Sequence, residues 1–130
     1  MIEIFTLLLS ALLFGGMTLY SFGFAPLLFT SLPVDQAGAL LRKAFPHYYL
    51  FVFFTSAAAA ASFFLRDPWS AGLMLSVALF AMLARQGLLP LINAARDADR
   101  KKSFNRLHTT SVVVNMLQLV AVTVVLVRIA

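Results

Sequence analysis

Residues 104–127, FNRLHTTSVVVNMLQLVAVTVVLV, decide the fold of this 130-residue chain. The stretch is mostly apolar, and it is long enough to cross the hydrocarbon core of a bilayer, which takes about 20 helical residues. Over the whole chain 62% of the residues are hydrophobic and 12% are charged, whereas soluble domains carry roughly 25% charged residues. A lipid bilayer is therefore the expected surroundings of the chain.

Three further stretches pass the same length test. They cover residues 2–29, 45–65 and 69–92, so the predicted helices occupy most of the chain and leave no room for a soluble domain. The first stretch carries Glu3 where a signal peptide would carry Lys or Arg, so we expect it to be retained. An open sheet would leave backbone groups unpaired in lipid. The sequence therefore predicts an all-α integral membrane protein, a single domain over residues 1–130 folded as an antiparallel, up-and-down four-helix bundle.

The connection between the first two predicted helices has its own periodicity. Its apolar residues recur at i, i+3, i+4, i+7 and i+8, at Ala37, Leu40, Leu41, Ala44 and Phe45. This pattern predicts a short amphipathic helix lying on the membrane surface before the second span.

The basic residues predict the orientation in the membrane. Most of them flank the first and third connections, namely Arg42, Lys43, Arg96, Arg100, Lys101, Lys102 and Arg106. The positive-inside rule places those connections in the cytoplasm and both termini outside, in what we expect to be a bacterial inner membrane. The net charge of +5 is accordingly assigned to topology and to anionic lipid headgroups, and not to nucleic acid.

Four polar residues share one face of the last predicted helix. At 100° per residue, Ser111, Asn115 and Gln118 lie within about 80° of His108, so this polar face should point into the bundle. Two interpretations remain open: the side chains line a ligand site, or they only form hydrogen bonds between helices.

Arg85 lies inside the third predicted span, where a guanidinium normally needs a partner. The sequence places no Asp or Glu at matching depth. Arg85 therefore either extends toward the headgroups, pairs with carbonyl groups and Asn115, or holds an anionic ligand. Asn93, nearer the end of the same span, is a further candidate ligand residue.

His47 and His108 begin the second and fourth predicted spans, and both should lie at the cytoplasmic end of the bundle. Two histidines on facing helices can hold a b-type haem or a transition metal ion, and the alternative is that both are interfacial residues. The chain has no Cys, which excludes disulfides and thiolate metal sites.

Four segments carry a family resemblance, FGFAPLLFTSLP, AGALLRKAFPHYY, ARQGLLPLINAARD and FNRLHTTSVVVNML. In this order they resemble the transmembrane protein 205 family, whose bacterial members are small four-helix proteins of unknown function. The shared positions are Pro33, Gly38, Phe45, Pro46, Tyr48, Arg85, Pro90, Phe104 and His108. The family in turn looks distantly similar to copper-resistance D-type proteins, and its eukaryotic members are associated with platinum-drug resistance. The resemblance thus implies export or metal handling.

These observations together predict transport, or metal or haem handling, through a polar pocket on the cytoplasmic side. The pocket is expected to include His47, Arg85, Asn93, His108, Ser111 and Asn115. Two alternatives stay open, a non-catalytic assembly or interaction subunit and a haem-dependent membrane oxidoreductase. No catalytic residue is predicted, and either a homo-oligomer or a membrane partner subunit is expected.

Overall fold

The structure of the protein, a computed structural model, describes residues 2–129, and this range is helical except for short connections. No strand occurs within it. Residues 2–129 form six α-helices and two π-helical segments. Their order is α1 (Ile2–Thr18), the first π segment (Leu19–Phe24), α2 (Ala25–Ser31), α3 (Val34–Phe63), α4 (Pro68–Leu83), the second π segment (Ala84–Leu88), α5 (Leu89–Asp97) and α6 (Lys101–Ile129). Because each π segment continues directly into its neighbours, the chain runs as four long helices.

Three of the long helices are long and apolar enough to cross a membrane: Glu3–Ser31, Pro68–Asp97 and Lys101–Ile129. The protein is therefore a multi-pass membrane protein. The remaining long helix, α3, is 30 residues long but less apolar, because Pro46, His47 and two tyrosines precede a run of alanines. Many large apolar side chains of the three spans are exposed in the isolated chain, as expected for surfaces that face lipid.

The predicted separate amphipathic helix is not observed as an individual element. Its residues are helical, but they form the first part of α3, which continues through Pro46 without a break. A proline inside a helix removes one hydrogen bond, here to the carbonyl of Arg42. Arg42 is exposed near an end of the molecule, where that carbonyl can be solvated, so the chain tolerates the loss without ending the helix.

Each π segment lies immediately before a proline that is the second residue of the next α-helix, Pro26 in α2 and Pro90 in α5. The Ala25 N–H bonds to the Tyr20 carbonyl and the Leu89 N–H bonds to the Ala84 carbonyl, five residues back in both cases. A proline ring clashes with the carbonyl four residues before it. The wider π turn relieves this clash, and π segments of this kind are frequent at functional sites.

The long helices pack as neighbours around a shared core. α3 contacts α1 and α4, while α6 contacts α1, α4 and α5. At one end, which we call the basic end, Arg42 of α3 forms a bidentate ion pair with Asp97 of α5, with N–O distances of 2.7 and 3.0 Å. At the opposite end, Arg128 of α6 pairs with Asp67, the residue that caps α4.

Two glycines permit close approaches between helices. A Cβ at Gly16 of α1 would lie 2.6 Å from the ring of Phe51 in α3. A Cβ at Gly38 would lie equally close to the guanidinium of Arg96. Small residues let helix backbones pack closely in membranes, and Gly16 is such a position.

Candidate functional site

A cavity of about 250 Å³ lies toward the basic end, between the first, second and fourth long helices. The first π segment and α2 form one wall, α3 forms another, and α6 closes the third side. Its lining is mostly apolar, with a small set of polar side chains, and it comprises Tyr20, Ser21, Ala25, Pro26, Phe29, Leu41, Phe45, Tyr48, Tyr49, His108, Ser111, Val112, Asn115 and Met116. This combination is typical of small-molecule sites.

Aromatic rings make up much of the wall. The chain has three tyrosines, and all of them line this cavity. The ring of Tyr20 stacks on that of Tyr48 with a centroid distance of 4.0 Å and an interplanar angle of 13°. Phe45 lies edge-on to Tyr20 and stacks with Tyr49. The π segment thus places Tyr20 against α3 within one continuous aromatic cluster.

Asn115 connects three long helices through hydrogen bonds. The Tyr48 hydroxyl donates to Asn115 Oδ1 at 2.7 Å, and Asn115 Nδ2 donates to the hydroxyl of Ser21 at 2.8 Å. One turn nearer the basic end, the hydroxyls of Tyr49 and Ser111 are 3.2 Å apart. These bonds fix the polar side of the cavity in place.

Among the residues that the structure describes, no Lys, Arg, Asp or Glu lines this cavity. His108 is exposed at its edge and stacks on Phe104, with ring centroids 5.9 Å apart and planes nearly parallel. The cavity therefore has hydrogen-bonding groups without formal charge.

The cavity opens sideways, between α2 and α6. α1 packs along α6, whereas α2 packs against α3 instead. The edges of the gap are exposed side chains, with Phe29 of α2 at 49% exposure and Val112 of α6 at 44%. Both helices belong to segments that are long and apolar enough to span a bilayer.

A smaller cavity of about 70 Å³ shares His108, Ser111 and Phe45 with the first and lies nearer the basic end. Asn93 and Arg96 contribute to its lining. The predicted ligand residues Asn93, Ser111 and Asn115 are thus placed around these two neighbouring cavities, together with His108.

Gln118 is buried away from both cavities. Its side-chain amide donates to the Val77 carbonyl of α4 at 2.8 Å. Gln118 thus forms a hydrogen bond between helices. This is the second of the two interpretations that the sequence left open for the polar face.

Arg85 lines neither cavity. It lies in the second π segment, is half-buried, and its Nε is enclosed without a hydrogen-bond partner among the described residues. The neighbouring Gln86 and Gly87 are exposed. The predicted meeting of Arg85 with His108 and Asn115 in one pocket is therefore not present.

His47 is also separated from the cavity. It is exposed, and at 100° per residue it lies about 150° from the centre of the α3 face that carries Phe45, Tyr48 and Tyr49. His47 and His108 thus do not form a facing pair. Among residues 2–129 no group of three or more His, Cys, Asp or Glu side chains is placed to hold a metal ion. The metal or haem site therefore stays a prediction, without support from such a group.

Sequence reasoning missed Tyr20, Ser21 and Tyr49 as cavity residues. Tyr20 and Ser21 lie within two helical turns before Pro26, and Tyr49 lies within one turn after Pro46. Polar and aromatic residues beside a proline inside an apolar helix were the available indication, because such prolines distort the helix and leave groups to be satisfied locally.

The chain matches the family described as Domain of unknown function (DUF4149) over residues 8–101. That range includes the cavity residues of the first and second long helices, and it ends where α6 begins. No curated protein and no solved structure matches the chain. The resemblance to transmembrane protein 205 and to copper-resistance D-type proteins stays a prediction. Since the match covers most of its length, the chain belongs to the DUF4149 family.

Proposed function

We propose that this protein binds a small, largely apolar molecule that enters its cavity from the membrane, as the binding step of a transport or handling function. The observation that carries the proposal is the lateral opening between α2 and α6 onto a cavity with an ordered polar side. A molecule dissolved in the bilayer would reach the hydrogen-bonding groups without passing through water.

The proposal includes four membrane crossings in an antiparallel bundle. α3 is less apolar than the other long helices, but it packs along both α1 and α4, which belong to spanning segments. Its polar residues Tyr48, Tyr49 and Ser56 are buried in the molecule and do not face lipid. A helix sheltered in this way can cross the bilayer with lower overall hydropathy.

The orientation follows from charge. Seven basic residues lie at or near the basic end, whereas Arg66 and Arg128 lie at the other. We therefore place the basic end in the cytoplasm of a bacterial inner membrane and both termini outside. The cavity then lies in the cytoplasmic half of the membrane, since His108 and Asn115 are roughly 10 and 20 Å along α6 from Lys101.

Native mass spectrometry of the purified protein tests the binding function. Ala25 lines the cavity, so Ala25→Phe should fill it, and Ala11→Phe on the exposed face of α1 is the matched control. We expect an apolar molecule to be retained by the wild type and by Ala11→Phe, and to be lost from Ala25→Phe while helicity by circular dichroism is unchanged. Retention of the molecule by folded Ala25→Phe would contradict the proposal, as would a wild type that retains nothing.

A second candidate function is that of an interaction subunit, and Arg85 favours it. Arg85 is half-buried within an apolar segment, its enclosed Nε has no partner within residues 2–129, and Gln86 and Gly87 beside it are exposed. The carboxylates of the described residues lie at or beside the ends of the long helices. A second copy of the chain would therefore not supply a carboxylate at the depth of Arg85. The expected partner is a different membrane helix that carries an Asp or Glu.

Co-purification from the native membrane distinguishes the two functions. Arg85→Leu should release a bound partner protein while ligand retention persists, and Ala25→Phe should do the reverse. A complex that survives Arg85→Leu would argue against the interaction role of this residue.

A further inference from the structure

We infer that the two neighbouring cavities together hold a single-chain amphiphile, with its anionic head, a phosphate or a carboxylate, in the small cavity and its tail in the large one. The inference rests on the proposed function, because it names the class of molecule that enters from the membrane. It follows from the position of the Arg96 guanidinium, from the space that Gly38 leaves for it, and from the way the two cavities adjoin.

Gly38 makes room for the guanidinium of Arg96 against α3. A Cβ at Gly38 would lie 2.6 Å from Arg96 Nη2 and 3.0 Å from Cζ. The backbone itself does not require glycine there, because Gly38 lies inside a helix and has no positive φ. Glycine is also a poor helix former. The contact with Arg96 therefore gives this glycine a physical reason.

Arg96 brings a cation to the small cavity that no carboxylate engages. The second cation of the lining, Arg42, is held by both carboxylate oxygens of Asp97. The side chain of Arg96 is half-buried and forms no hydrogen bond or ion pair within residues 2–129. Asp99 lines another cavity beside Arg96 without pairing with it. The planar guanidinium is therefore available to an oxygen anion, and its fork of N–H donors matches a carboxylate or a phosphate.

The small cavity suits a compact head. Asn93 lies one turn before Arg96 on α5 and lines the same cavity, and its side chain forms no hydrogen bond among the described residues. Its amide can donate to the same anion. The volume of about 70 Å³ is enough for a group of a few oxygen atoms, since a water molecule occupies about 30 Å³ of the liquid.

The arrangement of the two cavities matches an amphiphile in a bilayer leaflet. They share the lining residues Phe29, Leu41, Phe45, His108 and Ser111. The charged cavity lies nearer the basic end, and the mostly apolar one opens between α2 and α6. Together they reach roughly 300 Å³, the lower end of the range for small-molecule pockets, which favours one chain over two. In the proposed orientation the head lies nearer the cytoplasmic headgroups and the tail lies in the hydrocarbon.

Ligand binding to the full chain in nanodiscs of zwitterionic lipid tests the inference, with binding detected as a rise in unfolding temperature. Four probes are compared. Dodecyl phosphate and dodecanoate carry an anionic head on one chain, and dodecanol carries the same chain with a neutral head. Inorganic phosphate is the anion without a chain.

Arg96→Gln removes the charge from the small cavity. Arg106→Gln removes the same charge from an exposed position near the basic end and is the matched control. We expect the wild type and Arg106→Gln to bind at least one anionic amphiphile about tenfold more tightly than dodecanol. Arg96→Gln should weaken that binding about ten- to a hundredfold, as the loss of hydrogen bonds to a charged group implies, and leave dodecanol unchanged. Preference for dodecyl phosphate or for dodecanoate identifies the head.

Gly38→Ala tests the same site with the charge retained. The new Cβ should displace the flexible end of Arg96, so the variant should fold and bind the anionic amphiphile more weakly. Gly72→Ala is the control, because a Cβ there meets open space, and its binding should equal that of the wild type.

Three failures are distinguishable. If dodecanol binds as tightly as both anionic amphiphiles and Arg96→Gln has no effect, the anionic head is wrong while the cavities remain a ligand site. If inorganic phosphate binds as tightly as dodecyl phosphate, the small cavity takes a free anion and the amphiphile is wrong. If no probe with a chain binds the wild type, or if Ala25→Phe binds all of them as well as the wild type does, the proposed function itself fails.

Discussion

Asn115 is the residue on which the cavity depends most, since it bonds to Tyr48 in the second long helix and to Ser21 in the first. Asn115→Leu removes both bonds at similar volume. We expect a loss of about 1–2 kcal/mol in the free energy of unfolding, because side-chain hydrogen bonds between membrane helices are individually modest. Reversible unfolding in mixed micelles measures it, with Val113→Leu on the exposed face as the control.

Gln118 provides the contrast that separates stability from binding. Gln118→Leu should lower the free energy of unfolding by a comparable amount, since the hydrogen bond to the Val77 carbonyl is lost. The variant should still retain the ligand, because residue 118 lines neither cavity. Equal loss of ligand in both variants would show that binding reports only on the stability of the bundle.

Asp67 gives the protein a pH dependence at the end away from the cavity. The hydrogen bond from Arg128 first, and those from Ser70 next, lower the pKa of Asp67 from its ordinary 3.8 to about 2. A carboxyl with a lowered pKa in the folded state stabilises fully above its ordinary pKa and loses that contribution as the pH falls toward the folded value.

We therefore expect Asp67→Asn to lower the unfolding temperature at pH 6, and the difference from wild type to shrink between pH 4 and about pH 2. Thermal unfolding followed by circular dichroism over this range checks it. A difference that stays constant with pH would mean that Asp67 acts only through its cap of α4 and not through its charge.

At the level of single residues, the sequence predicted the inward direction of Ser111 and Gln118, because helical periodicity alone sets which residues share a face, whereas His108, predicted on the same inward face, is exposed. It did not predict which of the polar residues meet. That depends on the relative rotation of neighbouring helices, and the rotation directs His47 away while it brings Tyr48 to Asn115.

Among the elements, α1 and α3 have a close approach that a substitution can test. Gly16 packs against the ring of Phe51, whereas Gly15 has open space around it. Gly16→Ala should destabilise by about 1–3 kcal/mol through overpacking, and Gly15→Ala should be neutral or slightly stabilising because alanine favours helix.

The unfolding temperatures of Gly15→Ala and Gly16→Ala test this prediction. The two variants carry the same substitution at neighbouring residues. A Gly16→Ala protein as stable as Gly15→Ala would show that the Phe51 ring moves aside freely.

The ends of the helices were predictable only approximately, from the change between apolar and polar sequence. The spans predicted at 69–92 and 104–127 lie within the observed helices Pro68–Asp97 and Lys101–Ile129. The observed helices are longer because polar residues extend them beyond the apolar stretch.

The π segments were not predicted. They arise from how the chain accommodates Pro26 and Pro90, and a proline in a sequence does not specify whether the helix kinks, ends or widens.

For the whole molecule, the proposed four crossings can be tested because the chain has no native Cys. Single cysteines at Ser31, Leu65 and Ser103 mark the three connections or the helix ends beside them. A membrane-impermeant maleimide should label Leu65→Cys from outside the cell and label the other two only in inverted vesicles.

Labelling of Ser31→Cys and Leu65→Cys from the same side would mean that α3 does not cross the membrane. Labelling of all three with the opposite sidedness would reverse the orientation and leave the four crossings intact.

At this scale the sequence predicted an all-helical membrane protein, and the structure agrees. Hydropathy is sufficient for that conclusion because lipid permits few alternatives to a helix. Hydropathy did not predict the cavity. Its lining comes from three helices and includes α2, which packs against α3, and this is a property of packing between distant segments.

The moderate hydropathy of α3 has a consequence for how the chain is made. A segment that falls short of the other spans in apolar character is a poor substrate for independent insertion as it leaves the ribosome. In the proposed arrangement of four crossings, its extensive contact with α4 has the two enter the bilayer as a hairpin, after α4 has been synthesised. Weakening of the apolar face of α4 would then cause the cell to misplace α3 during biosynthesis, even where the finished protein would tolerate the same change.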